Sequence, residues 1–254
     1  LMEKPLCNTE EECLRLIDAC EEEKVVLMCA YPVRFWPGII RLKEIIDNKE
    51  YGEMFHMSIW TEQMTKYPET HWCSTGRLGG GQFFSHGCHY VDILLWFMGE
   101  PEKGFHLGTN YGTPWMLKEG TSDIAIKFKS GAVGYHFGTW GARGTKMAYD
   151  FQIHCTEGTL EYEHFSSEIR LHKYKNSSDL GTGENETTVI WKYEKGASKH
   201  TQFEMLHFLD CIENGKTPDT NGHSALQGLR LVWALYEAEK NDVIADLTGL
   251  GIEK

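Results

Sequence analysis

An alternation of apolar and polar residues in the middle of the chain limits the folds that it can adopt. Residues 121–129 and 132–140 each alternate around Ser130-Gly131, so the pattern predicts a β-hairpin. Two further short runs, 150–155 and 159–163, surround Glu157-Gly158 in the same way. Because strands that follow one another through short turns pair antiparallel, this region predicts a mainly antiparallel sheet.

Helical patterns lie on both sides of this region. Thr9, followed three residues later by Glu12, forms a capping box that predicts a helix to about Lys24. The sequence has no linker long enough to divide it, so we expect one α+β domain with helices on one face of an open sheet. The other predicted segments are a strand at 25–30, a helix at 37–48, a strand at 52–63, a polar surface loop at 176–188, and helices at 201–214 and 222–240.

The composition argues against several classes of protein. With 25 Lys+Arg and 37 Asp+Glu the formal charge is −12, which disfavours binding to a nucleic-acid backbone. The eight cysteines include no CxxC pair, so neither a zinc ribbon nor a disulfide framework is indicated. No apolar run approaches the roughly 20 residues of a membrane span. We therefore expect a cytoplasmic protein with no nucleic-acid or membrane partner.

The segment from Gly79 to Pro101 combines a glycine triplet, a helical pattern and a Gly-Glu-Pro stop signal. On a helix, Ser85, His89 and Asp92 lie on one stripe of an otherwise apolar surface. His89 suits proton transfer near neutral pH, and Asp92 could orient its ring. The alternative is a satisfied polar pair between helix and sheet, and spacing alone does not decide between the two.

Other residues are weaker candidates for a site. The glycines at 79–81 permit close approach of the backbone to an anion or a polar substrate atom, or else form a turn with positive φ. Ser85 lacks the Gly-x-Ser-x-Gly context of an exposed nucleophile, and the histidines and cysteines near it fit no familiar metal site. Lys4, in Glu3-Lys4-Pro5, is the second basic candidate, and flat walls for a sugar ring could come from Tyr31, Trp60 and Trp72.

These signals occur in an order that resembles the part of the Gfo/Idh/MocA oxidoreductases that follows their dinucleotide-binding half. The resemblance spans essentially the whole chain. The four stretches that carry it are Glu3-Lys4-Pro5, residues 30–37, Gly79-Gly80-Gly81 through Asp92, and Gly215-Lys216-Thr217-Pro218 with the helix that follows. The first and the third of these stretches are fairly specific.

The resemblance implies that residues 1–254 form a substrate-binding domain like the C-terminal domain of glyceraldehyde-3-phosphate dehydrogenase. Residues 1–30 would be the end of the dinucleotide-binding half, which is otherwise missing from this chain. It also implies a homo-oligomer formed through the sheet, and NAD or NADP as cofactor, contacted by Glu3, Lys4 and Pro5. The substrate would be a sugar, cyclitol or related polyol.

Within that resemblance, Lys4 and His89 are the catalytic residues, and His89 is the general acid/base. The expected substrate-binding residues are Tyr31, Arg34, Trp72, Ser85, His86 and Asp92, and no metal is expected.

Two departures from the family pattern leave other functions open. Ser85 stands where many family members carry Asp, and the sequence has no Gly-x-Gly-x-x-Gly unit between a strand and a helix. The first departure is compatible with a hydrolase that oxidises a sugar transiently through bound NAD. The second is compatible with a module that senses a sugar or forms oligomers without catalysis.

Overall fold

The computed structural model describes residues 1–68, 70–71, 78–176 and 183–252. The helices are α1 (Glu10–Glu22), α2 (Pro37–Asp47), α3 (Cys88–Met98), α4 (Thr201–Asn214) and α5 (Gly222–Lys240). A 3₁₀ turn at Pro32–Phe35 precedes α2, and a π-helical turn at Phe83–Gly87 leads into α3. The strands are β1 (Met54–Glu62), β2 (Pro101–Thr109), β3 (Thr121–Phe128), β4 (Val133–Thr139), β5 (Tyr149–Cys155), β6 (Gly158–Glu163), β7 (Glu168–Tyr174), β8 (Asn185–Lys192) and β9 (Ala245–Asp246).

In the described residues the strands form one open sheet in the order β8-β7-β6-β5-β1-β4-β3-β2-β9. Each pair of neighbours is antiparallel except β1 and β4, which are parallel. The predicted hairpin corresponds to β3 and β4, and the two later runs correspond to β5 and β6. The expected fold class, α+β with an open, mainly antiparallel sheet, is confirmed.

The helices cover one face of this sheet. A buried row of residues on that face crosses neighbouring strands at Ile124, His136, Ile59, Phe151 and Tyr162. The helices α2, α3 and α5 pack against the sheet, whereas α1 packs on α5 and α4 packs on the 3₁₀ turn. This arrangement places the start of α3 between the sheet and the N-terminal segment.

Local chemistry explains where the helices begin and end. The Thr9 and Glu12 capping box forms as predicted, with the Thr9 side chain accepting the Glu12 N–H. Helix α3 ends at Gly99, whose φ of 79° is a left-handed conformation that glycine adopts without steric cost. The predicted helices near the C-terminus coincide with α4 and α5.

Two segment predictions are wrong in part, and two strands have no predicted counterpart. Residues 25–30 contribute only isolated bridges, Met28 to Asn221 and Cys29 to Met2, and they do not join the sheet. The predicted loop at 176–188 overlaps β8, which begins at Asn185. Strands β2 and β7 were not predicted, because β2 contains Gly104 and Gly108 and β7 alternates charged with apolar side chains at half-buried positions.

Candidate functional site

The glycine triplet makes room for the protein's own side chains. A Cβ at Gly81 would lie 2.1 Å from the Glu119 carbonyl oxygen, and one at Gly80 would lie 2.6 Å from the Tyr236 hydroxyl. None of the glycines at 79–81 has a positive φ, so the turn that was one reading of the sequence is not formed. The backbone at these glycines is closely approached, as expected, but the approaching groups are Glu119 and Tyr236 of the protein itself.

Glu119 occupies the start of the helix that carries His89. Its Oε1 accepts hydrogen bonds from the N–H of Gly81 at 3.1 Å, the N–H of Phe83 at 3.2 Å and the hydroxyl of Tyr236 at 2.5 Å. The Tyr236 oxygen in turn accepts from the N–H of Gly81 and of Phe84. A carboxylate here satisfies free N–H groups and complements the helix dipole. The expectation that these groups are open to an anion or substrate is therefore wrong.

The π-helical turn brings Lys4 to the same helix. Lys4 Nζ donates a hydrogen bond of 2.7 Å to the main-chain oxygen of Ser85, a residue 81 positions further along the chain. The Ser85 side-chain oxygen is buried and has no hydrogen-bond partner among the described residues. Single π-helical turns are frequent at functional sites. Here the turn places a cation beside an unsatisfied hydroxyl.

His89 lies at this junction with only 7% of its surface exposed. Its Nδ1 is enclosed and has no partner within the described part of the chain. The ring meets Tyr31 edge-on at a centroid distance of 5.5 Å and His86 at 6.0 Å. Burial, reinforced by the charge of Lys4 and by His86, lowers the pKa of His89 well below its ordinary value. The imidazole is therefore neutral and available as a base at neutral pH.

Asp92 does not orient His89. Both of its carboxylate oxygens accept hydrogen bonds from Arg34, at 2.6 and 2.7 Å, and the pair is buried at 2% and 5% exposure. Arg34 also donates to the Asp219 carbonyl oxygen, and its guanidinium lies 5.1 Å from the ring centre of Trp96. Arg34 and Asp92, predicted to bind substrate, thus join the 3₁₀ turn to α3.

The structure places most of the other predicted residues as follows. Tyr31 is buried with its ring edge-on to His89, and its hydroxyl has no hydrogen-bond partner among the described residues. Glu3 is exposed and Pro5 is half-buried, and the Lys4–Pro5 peptide bond is cis. Trp60 alternates with buried Ile59 and therefore lies on the uncovered face of the sheet. Trp72 lies outside the described residues.

A second group of aromatic residues, which no sequence pattern predicts, lies near His86. The Tyr149 ring lies 6.1 Å from His86, and its hydroxyl donates to Gln63 Oε1 at 2.5 Å. Next to Tyr149, Trp36 and His164 stack at a centroid distance of 3.8 Å. Burial lowers the pKa of His164 to about 4. Tyr149 begins β5, 60 positions after His89, so no local spacing could have connected them.

Lys4, Ser85 and His89 fit a polar ligand such as the reactive end of a nicotinamide next to a hydroxyl group. Lys4 supplies a positive charge, and the Ser85 hydroxyl and His89 Nδ1 are buried polar atoms without partners. The given sequence contains no Gly-x-Gly-x-x-Gly pattern, the motif that holds a pyrophosphate between a strand and a helix. Among the described residues no group of three or more His, Cys, Asp or Glu side chains could hold a metal ion. No helix in the described part of the chain is long and apolar enough to cross a membrane.

Comparison with known proteins agrees with this architecture. Residues 39–161 match the family model of the GFO/IDH/MocA C-terminal domain. A levoglucosan dehydrogenase solved in complex with NADH has the same fold, with a TM-score of 0.83 and 20% identity over 99% of this chain and 73% of that one. These findings show that part of the chain is similar to the GFO/IDH/MocA C-terminal domain and that its fold is that of the solved structure.

Two curated relatives define the similarity further. The chain is 25% identical to scyllo-inositol 2-dehydrogenase (NAD(+)) of Bacillus subtilis over 97% of its own length and 70% of the relative. It is 24% identical to an uncharacterized oxidoreductase of Streptococcus pneumoniae over 70% of its own length and 52% of the relative. The chain thus spans between about half and three quarters of the length of these three proteins.

Proposed function

We propose that this protein oxidises or reduces a hydroxyl-bearing carbon of a sugar, cyclitol or related polyol with NAD or NADP. The observation that carries the proposal is the junction at which Lys4, the Ser85 carbonyl and His89 meet. These groups come from distant parts of the sequence and include two unsatisfied polar atoms in a buried position. Such a position calls for a polar ligand, because an unpaired buried polar group is costly.

His89 acts as the general acid/base. In the oxidative direction its neutral imidazole takes the proton of the substrate hydroxyl, and the carbon becomes a carbonyl. The nicotinamide, when bound, supplies the acceptor for the hydride that leaves the same carbon. In the reductive direction the imidazolium returns this proton to the developing alkoxide.

Lys4 assists through its charge. Its ammonium group lies close enough to lower the pKa of both His89 and His86. The same charge stabilises the alkoxide character that the substrate oxygen develops in the transition state. The hydrogen bond to the Ser85 carbonyl fixes the direction of Nζ. Glu3, Lys4 and Pro5 are also the proposed contacts to the nicotinamide end of the cofactor, and its pyrophosphate would be held outside this chain.

The proposed substrate-binding groups are Ser85, His86 and Tyr149, of which His86 lies 6.0 Å from His89 and Tyr149 lies 6.1 Å from His86 between ring centroids. Trp72 stays a prediction. The names of the relatives support a carbohydrate or cyclitol: one is a D-xylose 1-dehydrogenase (NADP(+)) of Haloferax volcanii, and one solved neighbour is levoglucosan dehydrogenase with NADH and levoglucosan. Both NAD and NADP occur among these names, so either cofactor fits.

We further propose that the uncovered face of the sheet forms a homo-oligomer. Phe105, Leu107 and Val133 are 36–61% exposed on that face. An apolar surface of this kind is typical of an interface. The assignment of residues 1–30 to a dinucleotide-binding half is likewise a proposal, supported by their position outside the sheet. A cytoplasmic location stays a prediction.

The test compares variants of the full-length gene product with inositols, aldoses and anhydrosugars as substrates. We expect His89→Gln and Lys4→Met to lower kcat by at least about a hundredfold, the scale of a positioned acid/base. His223→Gln and Lys129→Met, which change exposed residues, serve as matched controls and should retain full activity. Full activity in both site variants would contradict the proposal. Release of an aglycone without net NADH would indicate the hydrolase instead, and sugar binding without turnover would indicate a sensing module.

A further inference from the structure

Gln82 connects His86 to the sheet. The Gln82 side chain is fully buried between Ser122 and His86, one turn further along the same helix. Ser122 Oγ donates a hydrogen bond of 2.8 Å to Gln82 Oε1, and Gln82 Nε2 lies 3.3 Å from His86 Nδ1. A Cβ at Gly138 would lie 2.3 Å from Gln82 Nε2, so only glycine leaves room for this amide.

With the Gln82 amide oriented as in the structure, these contacts assign one tautomer to His86. The amide oxygen of Gln82 is occupied by the Ser122 hydroxyl, so its NH₂ group faces the histidine. An NH₂ group only donates, and Nδ1 must therefore be the acceptor. A neutral imidazole carries one proton, so the proton of His86 is on Nε2. Nδ1 is fixed by the protein, and no hydrogen bond from the described residues reaches Nε2.

The surroundings of His86 favour a neutral ring. Burial and the charge of Lys4 lower the pKa of His86 to about 3. The other titratable groups that face it are His89 and Tyr90 on the same helix, Tyr149 on β5 and His136 on β4. None of them is an anion at neutral pH, since burial raises the pKa of both tyrosines. His86 is therefore neutral in the working pH range.

We propose that His86 is a fixed hydrogen-bond donor that presents Nε2–H to an oxygen of the polyol substrate, and that Gln82 and Ser122 are the positioning residues that hold it. The inference rests on the proposed function for the identity of the ligand. Two neighbouring histidines then have separate tasks: His89 transfers the proton, and His86 selects a substrate oxygen next to the reacting carbon. A substrate that lacks this oxygen leaves the donor unpaired and is disfavoured.

The tautomer can be measured without any substrate. Long-range ¹H–¹⁵N spectra of the full-length protein labelled at histidine distinguish Nδ1–H from Nε2–H. We expect His86 to be protonated at Nε2 and to show no titration between pH 5 and 9. A proton on Nδ1, or titration in this range, would overturn the inference. This measurement on the unmodified protein does not depend on whether any variant folds.

Gln82→Glu is the corresponding perturbation. A carboxylate at this position accepts from both Ser122 and His86, so the proton of His86 should move to Nδ1 and Nε2 should become an acceptor. Gln152→Glu is the matched control, because Gln152 also contacts a histidine, His154, but on the uncovered face of the sheet. We expect Gln82→Glu to raise KM at least about tenfold with a smaller effect on kcat, and the control to match the parent protein.

Two outcomes separate this inference from the proposed function. If the tautomer changes in Gln82→Glu but KM for the polyol does not, His86 does not contact the substrate and the inference is wrong. If the parent protein has no NAD(P)-linked activity, the proposed function is wrong and the inference loses its ligand, even where the spectra show Nε2–H.

Discussion

The start of α3 should be among the most sensitive points of the fold. Glu119→Ala removes the oxygen that accepts from Gly81, Phe83 and Tyr236. A hydrogen bond to a charged group contributes about 1.5–3 kcal/mol, and buried donors without a partner carry a desolvation penalty. The three donors share one oxygen, so their contributions do not simply add. We expect the free energy of unfolding to fall by about 3–5 kcal/mol.

Urea denaturation of the variant series measures this effect. Glu119→Gln keeps a carbonyl oxygen and loses only the charge, so it should cost about 1–2 kcal/mol. Tyr236→Phe removes one donor and should show a coupling energy of about 1 kcal/mol or more with Glu119→Ala in a double-mutant cycle. Lys118, which precedes Glu119 and donates a hydrogen bond to the Leu78 carbonyl oxygen, supplies the neighbouring control Lys118→Ala. A loss below about 1 kcal/mol in Glu119→Ala would refute the structural role of this carboxylate.

Two further predictions concern buried charges. Asp92→Asn leaves the Arg34 guanidinium buried without a counter-charge and should lower the free energy of unfolding by about 3–5 kcal/mol in urea denaturation. The double variant Arg34→Met/Asp92→Leu removes both charges and should recover most of this loss. Equal stability of Asp92→Asn and the parent protein would contradict the prediction. Burial and the charge of Glu3 raise the pKa of Glu204 from 4.5 to about 7. Between these pH values the folded protein holds a proton that the unfolded chain has released. The free energy of unfolding should therefore fall by about 2–3 kcal/mol as the pH rises from 4.5 to 7. Glu204→Gln should remove this fall, and an unchanged pH profile in that variant would refute the assignment.

The sequence predicts those parts of the fold that depend on local chemistry. The capping box at Thr9, the glycine stop at Gly99 and the hairpin around Ser130-Gly131 each became an element boundary close to the expected position. Strand order was beyond prediction, because the parallel pairing of β1 with β4 joins Met57 to Gly134, and no local pattern encodes that contact.

The candidate site shows the same contrast between features that depend on local sequence and features that depend on long-range contacts. Lys4 and His89 were recognised from motifs, and both lie at the junction with Ser85. Glu119 and Tyr236, which bind the glycine triplet, were not recognised from the sequence. They come from a loop and from a helix that meet the triplet only in the folded chain. Helical spacing paired Asp92 with His89, but the buried Arg34 offered a bidentate partner that a neutral imidazole cannot match.

The most direct test of the proposed function follows a hydrogen atom from carbon to the cofactor. Inositols, xylose and anhydrosugars that carry deuterium at each hydroxyl-bearing carbon are incubated with the full-length protein and NAD or NADP, and the reduced cofactor is analysed by mass spectrometry. We predict that one of these compounds transfers deuterium to the nicotinamide in stoichiometric amounts, and that His89→Gln lowers the rate of this transfer at least about a hundredfold while cofactor binding is retained. Absence of deuterium transfer from every labelled compound, or undiminished transfer in His89→Gln, would contradict the assignment of Lys4 and His89 to polyol oxidation.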